Sequence, residues 1–289
     1  MNEASFYSQA ENNAVTCALC PHNCIVNEGK TGICGVRRND NGKLYAAGYG
    51  LVSSLALDPI EKKPLCMFHP GKNVLSIGGF GCNLRCPFCQ NCEISMEYEG
   101  RWQDAQRVSP EQIVNLAKKY APNGNIGVAY TYNEPLIGYE FVYDCAKLIH
   151  EAELKNVLVT NGYIARKPLE KLMPYIDAMN IDLKGFTEGF YKKLGGSLAP
   201  VKETIKSAYG YCHIEITTLI IPEENDSEEK IESLAGWLAS LDPEIPLHLT
   251  RFFPRYKYEG KTPTPRESIY SLCEIAKKHL KNVFAGNVG

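Results

Sequence analysis

Short runs of consecutive apolar residues recur along the chain from residue 73 onward. Six of them are well separated and a possible seventh lies near the end: 73–80, 125–132, 156–162, 178–183, 213–221, 246–253 and 282–288. Strands of a parallel sheet are covered on both faces, so they carry continuous apolar runs rather than an alternating pattern. The runs therefore predict parallel β-strands.

Helical patterns fill the segments between these runs. The sequence Ser-Pro-Glu-Gln from Ser109 predicts a capping box with proline at the first helical position, and apolar residues follow at helical spacing. Thr264 opens a similar segment, and Asp226 precedes a third helix. Strands that alternate with helices, joined by right-handed crossovers, predict an α/β fold with either an open parallel sheet or a barrel.

The first 73 residues follow neither pattern. Residues 14–45 are dense in cysteine and glycine, and they could not bury enough apolar surface to fold without a metal. Turn signals dominate the next segment. We therefore predict an N-terminal metal-binding module over residues 1–45, a connector over 46–73 and an α/β core over 74–289.

Charge and cysteine content narrow the class of protein. The 289 residues include 31 basic and 33 acidic side chains, which excludes a strongly basic surface for nucleic acid or an anionic membrane. No stretch approaches the ~20 apolar residues of a membrane span, and the start lacks a signal-peptide pattern. Several of the twelve cysteines are two or three residues apart, which suits metal ligation better than disulfides. We predict a cytoplasmic protein that carries iron–sulfur or zinc, without nucleic-acid or membrane partners.

The strongest motif follows the first apolar run. Cys82, Cys86 and Cys89 form a C-x3-C-x2-C pattern on a loop that begins with glycines. A 4Fe-4S cluster usually takes four cysteines, so three would leave one iron open to a substrate. A structural zinc site with a fourth ligand from elsewhere is the alternative interpretation.

Other polar residues follow the later runs at corresponding places. Residues 131–135, 160–162 and 182–185 come directly after three of the runs, and Arg251 ends another. Each of them alone could be a helix cap or a turn. Because catalytic groups gather at the carboxyl ends of parallel strands, we expect all of them to share one rim with the cysteine loop.

The N-terminal module carries a second metal motif. Its ligands would be Cys17, Cys20, Cys24 and Cys34. Four thiolates at this spacing suit tetrahedral zinc or a second iron–sulfur cluster, and the sequence leaves the choice open. Zinc would make the module a structural knob or docking surface, whereas a cluster could relay electrons.

Three other polar side chains of the module receive simpler interpretations. His22 could replace one cysteine, but a solvated turn histidine is the preferred interpretation. Arg37 and Arg38, which follow Cys34, are interpreted as a solvated charged face.

These motifs together resemble a known superfamily. The cysteine loop, with an aromatic residue before its last cysteine, resembles the signature of the radical S-adenosylmethionine (SAM) superfamily, and the strand-end motifs match in order across residues 74–260. The segments TNG and DLKG look like those of glycyl-radical-enzyme activases such as pyruvate formate-lyase activating enzyme. The N-terminal module, QNCEIS and RFFPRYKY are similar to a narrower group, the radical SAM member of the AmmeMemoRadiSam system. The resemblance implies a partial (β/α)6 TIM-type barrel of parallel strands.

The resemblance also implies a chemistry. Cys82, Cys86 and Cys89 would hold the cluster, and its open iron would chelate the amino and carboxylate groups of SAM. One electron would cleave SAM to a 5′-deoxyadenosyl radical, which would abstract hydrogen from a substrate. The implied partners are SAM, an electron donor such as flavodoxin or ferredoxin and, for an activase, a protein substrate. The alternatives are a small-molecule substrate, a non-catalytic iron–sulfur electron carrier or a zinc-stabilised scaffold.

Seven further residues would form the SAM site by this resemblance. They are Phe88 and Gln90 near the adenine, Asn133 and Glu134 at the methionyl moiety, and Asn161, Asp182 and Lys184 along the ribose and carboxylate. A buried Lys184 would need Asp182 or the SAM carboxylate as its partner. The alternative for Lys184 is an exposed lysine at a strand end.

Two positions depart from the family pattern. Cys92 adds a fourth cysteine after Cys89, where tryptophan is expected. If Cys92 closed the cluster, the site would become an electron-transfer centre. We interpret Cys92 as a small packed residue or a redox bystander. Phe253 stands where activases tend to carry a histidine, so a SAM contact from that position is not expected. His213 and His248 lie nearby and are interpreted as satisfied core residues.

Overall fold

The computed structural model describes residues 2–97, Trp102 and residues 105–289. The strands are β1 (Asn2–Glu3), β2 (Tyr7–Gln9), β3 (Val15–Cys17), β4 (Ile25–Val26), β5 (Arg37–Asp40), β6 (Lys43–Ala46), β7 (Leu51–Val52), β8 (Ser54–Pro59), β9 (Asn73–Gly78), β10 (Gln106–Arg107), β11 (Asn125–Tyr130), β12 (Lys155–Thr160), β13 (Ala178–Asp182), β14 (His213–Ile220), β15 (Leu247–Arg251) and β16 (Val283–Gly286). The α-helices are α1 (Cys92–Ser95), α2 (Pro110–Lys119), α3 (Tyr139–Glu151), α4 (Arg166–Leu172), α5 (Glu188–Lys193), α6 (Leu198–Ala208), α7 (Glu228–Leu241) and α8 (Arg266–Ala276). In the described part of the chain, no helix is long and apolar enough to cross a membrane.

One large sheet organises the core. Its strand order is β16-β15-β14-β13-β12-β11-β9-β8, and every neighbouring pair is parallel except β8 and β9. Each predicted apolar run is a strand of this sheet, including the seventh at β16. From β9 to β16 the order never reverses, so right-handed crossovers place the helices on one face and leave the other face inside. The predicted α/β fold, a partial barrel of parallel strands, is confirmed.

The two faces of the sheet bury separate apolar clusters, because successive strand residues point in opposite directions. On the inner face, side chains from four neighbouring strands pack with two residues of the segment that precedes β9: Val74, Ala129, Val157 and Ala178 with Ile60 and Leu65. On the outer face, Val128 and Leu158 belong to the main cluster, together with Ile113 of α2 and Ile149 of α3. The segment 46–73 therefore covers the inside of the sheet, and β8 extends the sheet at its edge.

The N-terminal module consists of two small antiparallel sheets, with strand orders β1-β6-β5 and β2-β3-β4. A buried ion pair joins the module to the core, since Arg37 Nη1 lies 3.0 Å from Glu140 Oε2 on α3. The prediction that Arg37 belongs to a solvated face is therefore wrong. Arg38 points the other way, as alternation along β5 requires, and it is exposed.

All three predicted helices are present. Ser109 and Gln112 form both hydrogen bonds of a capping box at α2, and the Ser227 side chain accepts from Lys230 N at the start of α7. The helix predicted after Thr264 is α8, which begins at Arg266, but the capping role of Thr264 is wrong. Its hydroxyl donates to Ile220 O at 2.6 Å and accepts from Phe252 N at 3.3 Å, so it joins the ends of two strands and does not cap α8.

A buried carboxylate holds the segment before β9 against the core. Glu215 of β14 accepts hydrogen bonds from His213 Nε2 at 2.9 Å and His248 Nε2 at 2.6 Å. It also accepts from the backbone N–H groups of Cys66 and Met67, at 3.0 and 2.8 Å. Both histidines are thus bonded inside the core, which agrees with their interpretation as core residues.

We expect Glu215→Gln to lower the free energy of unfolding by about 2–4 kcal/mol, because an amide cannot accept from four donors. Although burial opposes its charge, the hydrogen bonds from His213 and His248 lower the pKa of Glu215 from 4.5 to about 2. A carboxylate whose pKa is lower in the folded state stabilises that state above its unfolded pKa. The advantage of the wild type should therefore be present above pH 4.5 and disappear as the pH falls toward 2, as measured by urea unfolding of the apoprotein.

The matched control is Glu232→Gln. Glu232 accepts from His279 Nε2 at 2.9 Å, the same kind of contact, on the surface of the protein. This control should change the free energy of unfolding by no more than about 0.5 kcal/mol. Equal losses in the two variants would contradict the role given to Glu215.

Candidate functional site

The cysteine loop leaves β9 and crosses the carboxyl end of the sheet. Gly81 has a φ of +82°, a conformation that favours glycine. A Cβ atom at Gly81 would also collide with the backbone carbonyl of Cys34 in the N-terminal module. The loop can therefore approach the module closely only because residue 81 lacks a side chain.

Asn133 supplies the hydrogen bonds that this irregular loop lacks. Its Oδ1 accepts from Gly79 N at 2.9 Å, and its Nδ2 donates to the carbonyl oxygens of Phe80 and Gly81, each at 3.1 Å. The sequence did not reveal this role. The Asn133 side chain joins the end of β11 to the start of the cysteine loop at one rim of the sheet.

Two more asparagines fix the first cysteine. Asn161 Nδ2 donates to Cys82 Sγ at 3.6 Å and to Asn83 Oδ1 at 2.9 Å. Asn83 Nδ2 donates in turn to Tyr163 O at 2.6 Å. The segment after β12 thus orients the Cys82 sulfur, as the predicted shared rim requires.

The three loop thiols are in a setting that disfavours bare thiolates. Burial raises the pKa of Cys82, Cys86 and Cys89, that of Cys86 to about 12, and neighbouring thiolates of the set add to the effect. Metal coordination removes this cost, because ligating thiolates give their charge to the metal. The donor set therefore fits an iron–sulfur cluster.

Among the described residues, no three histidine, cysteine, aspartate or glutamate side chains are close enough to hold a single metal ion. This is no obstacle to a 4Fe-4S cluster, which binds one thiolate at each iron and so spans its cysteines more widely than one ion does.

A lysine stands beside these thiols, as predicted. Lys184 Nζ lies 2.8 Å from Asp182 Oδ2 at the end of β13, and 17% of its side chain is exposed. Burial opposes the ammonium, but Asp182 and the Cys86 thiol raise the pKa of Lys184 overall. The alternative, an exposed lysine at a strand end, is wrong, and the site holds a permanent positive charge next to the cysteines.

Glu134 is fully enclosed at the same rim. Its carboxylate accepts from Thr160 Oγ1 at 2.7 Å, Asn161 N at 2.7 Å and Leu136 N at 3.0 Å. Burial raises the pKa of Glu134 to about 7, while the hydrogen bonds from Asn161 and Thr160 oppose the rise. These contacts join the ends of β11 and β12 and leave acceptor capacity on the carboxylate.

The two residues predicted near the adenine lie at the end of the cysteine loop. Phe88 is buried and stacks on Phe190, with ring centroids 6.2 Å apart, and Tyr258 lies 6.0 Å away. Gln90 is exposed. The structure thus places Phe88 in an aromatic cluster below the rim and Gln90 at its surface.

The two departures from the family pattern have distinct surroundings. Cys92 is buried in the first turn of α1, near Cys89. Phe253 is exposed, and the Arg251 guanidinium lies 4.7 Å from the centre of its ring.

Two of the N-terminal cysteines, Cys20 and Cys34, lie next to the cysteine loop. Cys17 N donates to Cys24 O at 2.9 Å, and the Cys20 thiol lies beside the Asn83 side chain. His22 is not a solvated turn residue, since its Nε2 lies 2.7 Å from Asn83 O, so that interpretation is wrong. The module therefore contacts the cysteine loop at the residue that follows Cys82.

Comparison with known proteins agrees with this arrangement. Residues 76–235, more than half of the chain, match the model of the radical SAM superfamily. An uncharacterized protein of Methanocaldococcus jannaschii is 44% identical over all of this chain and 86% of its own length. A putative glycyl-radical enzyme activating enzyme of the same organism is 25% identical over 74% of this chain and 89% of its own length.

Solved structures show the same fold. QueE from Escherichia coli superposes with a TM-score of 0.53 at 14% identity, covering 82% of this chain and 93% of its own. At that identity the likeness concerns architecture alone. The loop of three cysteines, the open parallel sheet and the match of the family model lead to one conclusion: the chain belongs to the radical SAM superfamily.

Proposed function

We propose that the protein cleaves SAM reductively and uses the resulting 5′-deoxyadenosyl radical to abstract hydrogen from a substrate. The observation that carries the proposal is the meeting of the three loop thiols, which are buried or half-buried, with the Asp182–Lys184 pair at one rim. The thiols provide three ligands for a 4Fe-4S cluster, and the ion pair provides groups for a zwitterionic ligand. When bound, the cluster supplies the electron that breaks the carbon–sulfur bond of SAM.

The protein residues position and shield the site. Asn133 holds the backbone of the cysteine loop, and Asn161 orients the Cys82 sulfur. Lys184 uses one N–H to bind Asp182, which leaves donors for the SAM carboxylate. Glu134 has acceptor capacity for the SAM ammonium, so the two ends of the amino acid moiety would meet opposite charges.

The substrate class is proposed from the relatives. The putative activating enzyme of M. jannaschii aligns over most of both chains, which supports an activase-like role with a protein glycine as the site of hydrogen abstraction. A small-molecule substrate is the alternative within the same chemistry.

Four further features belong to the proposal. The protein would be cytoplasmic, and it would receive electrons from a low-potential donor such as flavodoxin or ferredoxin. It would be related to the radical SAM member of the AmmeMemoRadiSam system. A second metal site would lie at Cys17, Cys20, Cys24 and Cys34.

We expect the anaerobically reconstituted and reduced protein to convert SAM to 5′-deoxyadenosine and methionine, as measured by liquid chromatography. Cys86→Ala should yield no product above the level without protein, because two thiols do not retain the cluster. If the wild type formed no more 5′-deoxyadenosine than Cys86→Ala does, the proposal that the protein is an enzyme would be overturned.

Cys92→Ser separates the enzyme from an electron carrier. If Cys92 were the fourth cluster ligand, SAM could not chelate iron in the wild type, and the variant would gain SAM cleavage. We expect equal cleavage in both proteins, because three thiols already hold the cluster. Cleavage only in the variant would favour the carrier.

We expect Lys184→Gln to weaken SAM binding by about 10- to 100-fold, because a hydrogen-bonded charge pair with the carboxylate is lost. Equilibrium dialysis with labelled SAM and the unreduced protein measures this effect without turnover. Iron content should stay at the wild-type level, since Lys184 is not a ligand.

The control is Lys193→Gln. Lys193 forms an ion pair with Glu224 at 2.7 Å and is exposed. This variant should bind SAM as the wild type does. Unchanged affinity in Lys184→Gln would refute the placement of the SAM carboxylate.

The substrate class can be tested with candidate partner proteins that carry deuterated glycine. We expect deuterium to appear in 5′-deoxyadenosine and a glycyl radical to appear by electron paramagnetic resonance (EPR). Deuterium transfer from labelled metabolites instead of protein would favour the small-molecule alternative.

A further inference from the structure

Two of the four N-terminal cysteines, Cys20 and Cys34, lie against the loop that carries Cys82. The Cys34 carbonyl fills the space that a side chain at Gly81 would need. Arg85 donates to the carbonyls of both Ile33 and Cys82. A metal centre in the module would therefore be next to the SAM-binding loop and not at a remote edge of the molecule.

A continuous series of contacts joins the two sets of thiols. The Cys20 thiol lies beside the Asn83 side chain. Asn83 Oδ1 accepts from Asn161 Nδ2 at 2.9 Å. The same Nδ2 donates to Cys82 Sγ. Only two side-chain amides thus separate a sulfur of the module from a sulfur of the SAM-binding loop.

Arg37 marks the module as a site for an anionic ligand. Its side chain is 1% exposed; Nη1 donates to Glu140, and Nη2 donates to Ser5 O. In the described part of the chain, Arg37 Nε and Tyr139 Oη are the buried side-chain nitrogen and oxygen atoms without a hydrogen-bond partner. A buried guanidinium rarely leaves a donor unpaired, so an acceptor is missing from this place.

The thiols of Cys17 and Cys34 lie close enough to Arg37 to interact with its charge. Burial opposes the charge of Arg37, but Glu140 and the thiols of Cys17 and Cys34 raise its pKa. Neutral thiols are weak acceptors, whereas the sulfurs of a four-thiolate metal centre carry negative charge and accept N–H hydrogen bonds. Such a centre would satisfy Arg37 Nε, and Arg37 would compensate part of its charge.

We propose that Cys17, Cys20, Cys24 and Cys34 bind a second 4Fe-4S cluster, and that Arg37 is its positioning residue. Zinc and a cluster both accept four thiolates, but only a cluster transfers an electron. The contact through Asn83 with a loop whose chemistry requires an electron favours the cluster. This choice of metal rests on the proposed function, whereas the presence of an anionic metal centre rests on Arg37 and the four thiols alone.

The test uses the full chain with Cys82, Cys86 and Cys89 all changed to Ser, which removes the SAM-binding cluster. After anaerobic reconstitution with iron and sulfide, this variant should retain about four irons and four sulfides per chain and give a cluster EPR signal on reduction with dithionite. Further change of Cys20 and Cys24 to Ser should remove that iron. One zinc per chain in place of iron would overturn the cluster, and no bound metal would overturn the site.

Arg37→Gln in the same background tests the positioning role. Loss of a nearby positive charge and of the N–H donor should make the cluster harder to reduce, so its reduction potential should become more negative. Arg38→Gln, the exposed neighbour, should leave the potential unchanged. Equal potentials in the two variants would refute the role of Arg37.

If circular dichroism shows that Arg37→Gln fails to fold, Arg37→Lys replaces it in the measurement of the reduction potential. Lysine can keep the ion pair with Glu140 but lacks the Nε donor, so the potential should still fall, by less than in a folded Arg37→Gln. These measurements do not require SAM. A failure of SAM cleavage in the wild type would overturn the proposed function without changing the iron content or the potential of this site.

Discussion

The site depends on hydrogen bonds to the backbone N–H and C=O groups of an irregular loop, which lies at the rim of a buried sheet. A loop that carries metal ligands cannot use a regular hydrogen-bond ladder, and unpaired backbone groups away from water are costly. Asn133 pairs with three backbone groups of the loop, and Asn83 and Asn161 fix the turn at Cys82. Asparagine suits this task because one short side chain both donates and accepts. The position of the thiols therefore follows from amide side chains that come from different strands.

The N-terminal module is coupled to this loop by shape as well as by hydrogen bonds. Gly81 permits the approach of the Cys34 carbonyl, and Arg85 bridges the two segments through backbone oxygens. The ion pair between Arg37 and Glu140 also holds the module to α3. Because breaking one partner of a buried ion pair is strongly destabilising, the module and the core are expected to fold as one unit.

The sequence predicted those features that depend on local pattern. Continuous apolar runs identified all the parallel strands, since burial on both faces leaves a direct trace in the sequence. The sequence did not predict the roles of side chains whose partners lie far away along the chain. Thr264 has the pattern of a helix cap, but two strand ends use its hydroxyl. Arg37 has the pattern of a surface charge, yet its partner lies 103 residues away on α3, and no local pattern could reveal that pairing. The role of Asn133 escaped for the same reason.

Electrostatics explains why the thiols and Lys184 occur together. Burial raises the pKa of Cys86 from 9.0 to about 12, which corresponds to an extra cost on the order of 4 kcal/mol for its thiolate relative to a cysteine in water. Three such thiolates on one loop would repel one another, so the folded loop holds neutral thiols until a metal centre takes their charge. The Lys184 ammonium offsets part of the remaining negative charge, and Asp182 keeps it aligned. Burial does not neutralise Lys184, because the Asp182 carboxylate lies 2.8 Å from its ammonium. This fixed cation can therefore compensate negative charge at the cysteines and attract an anionic ligand.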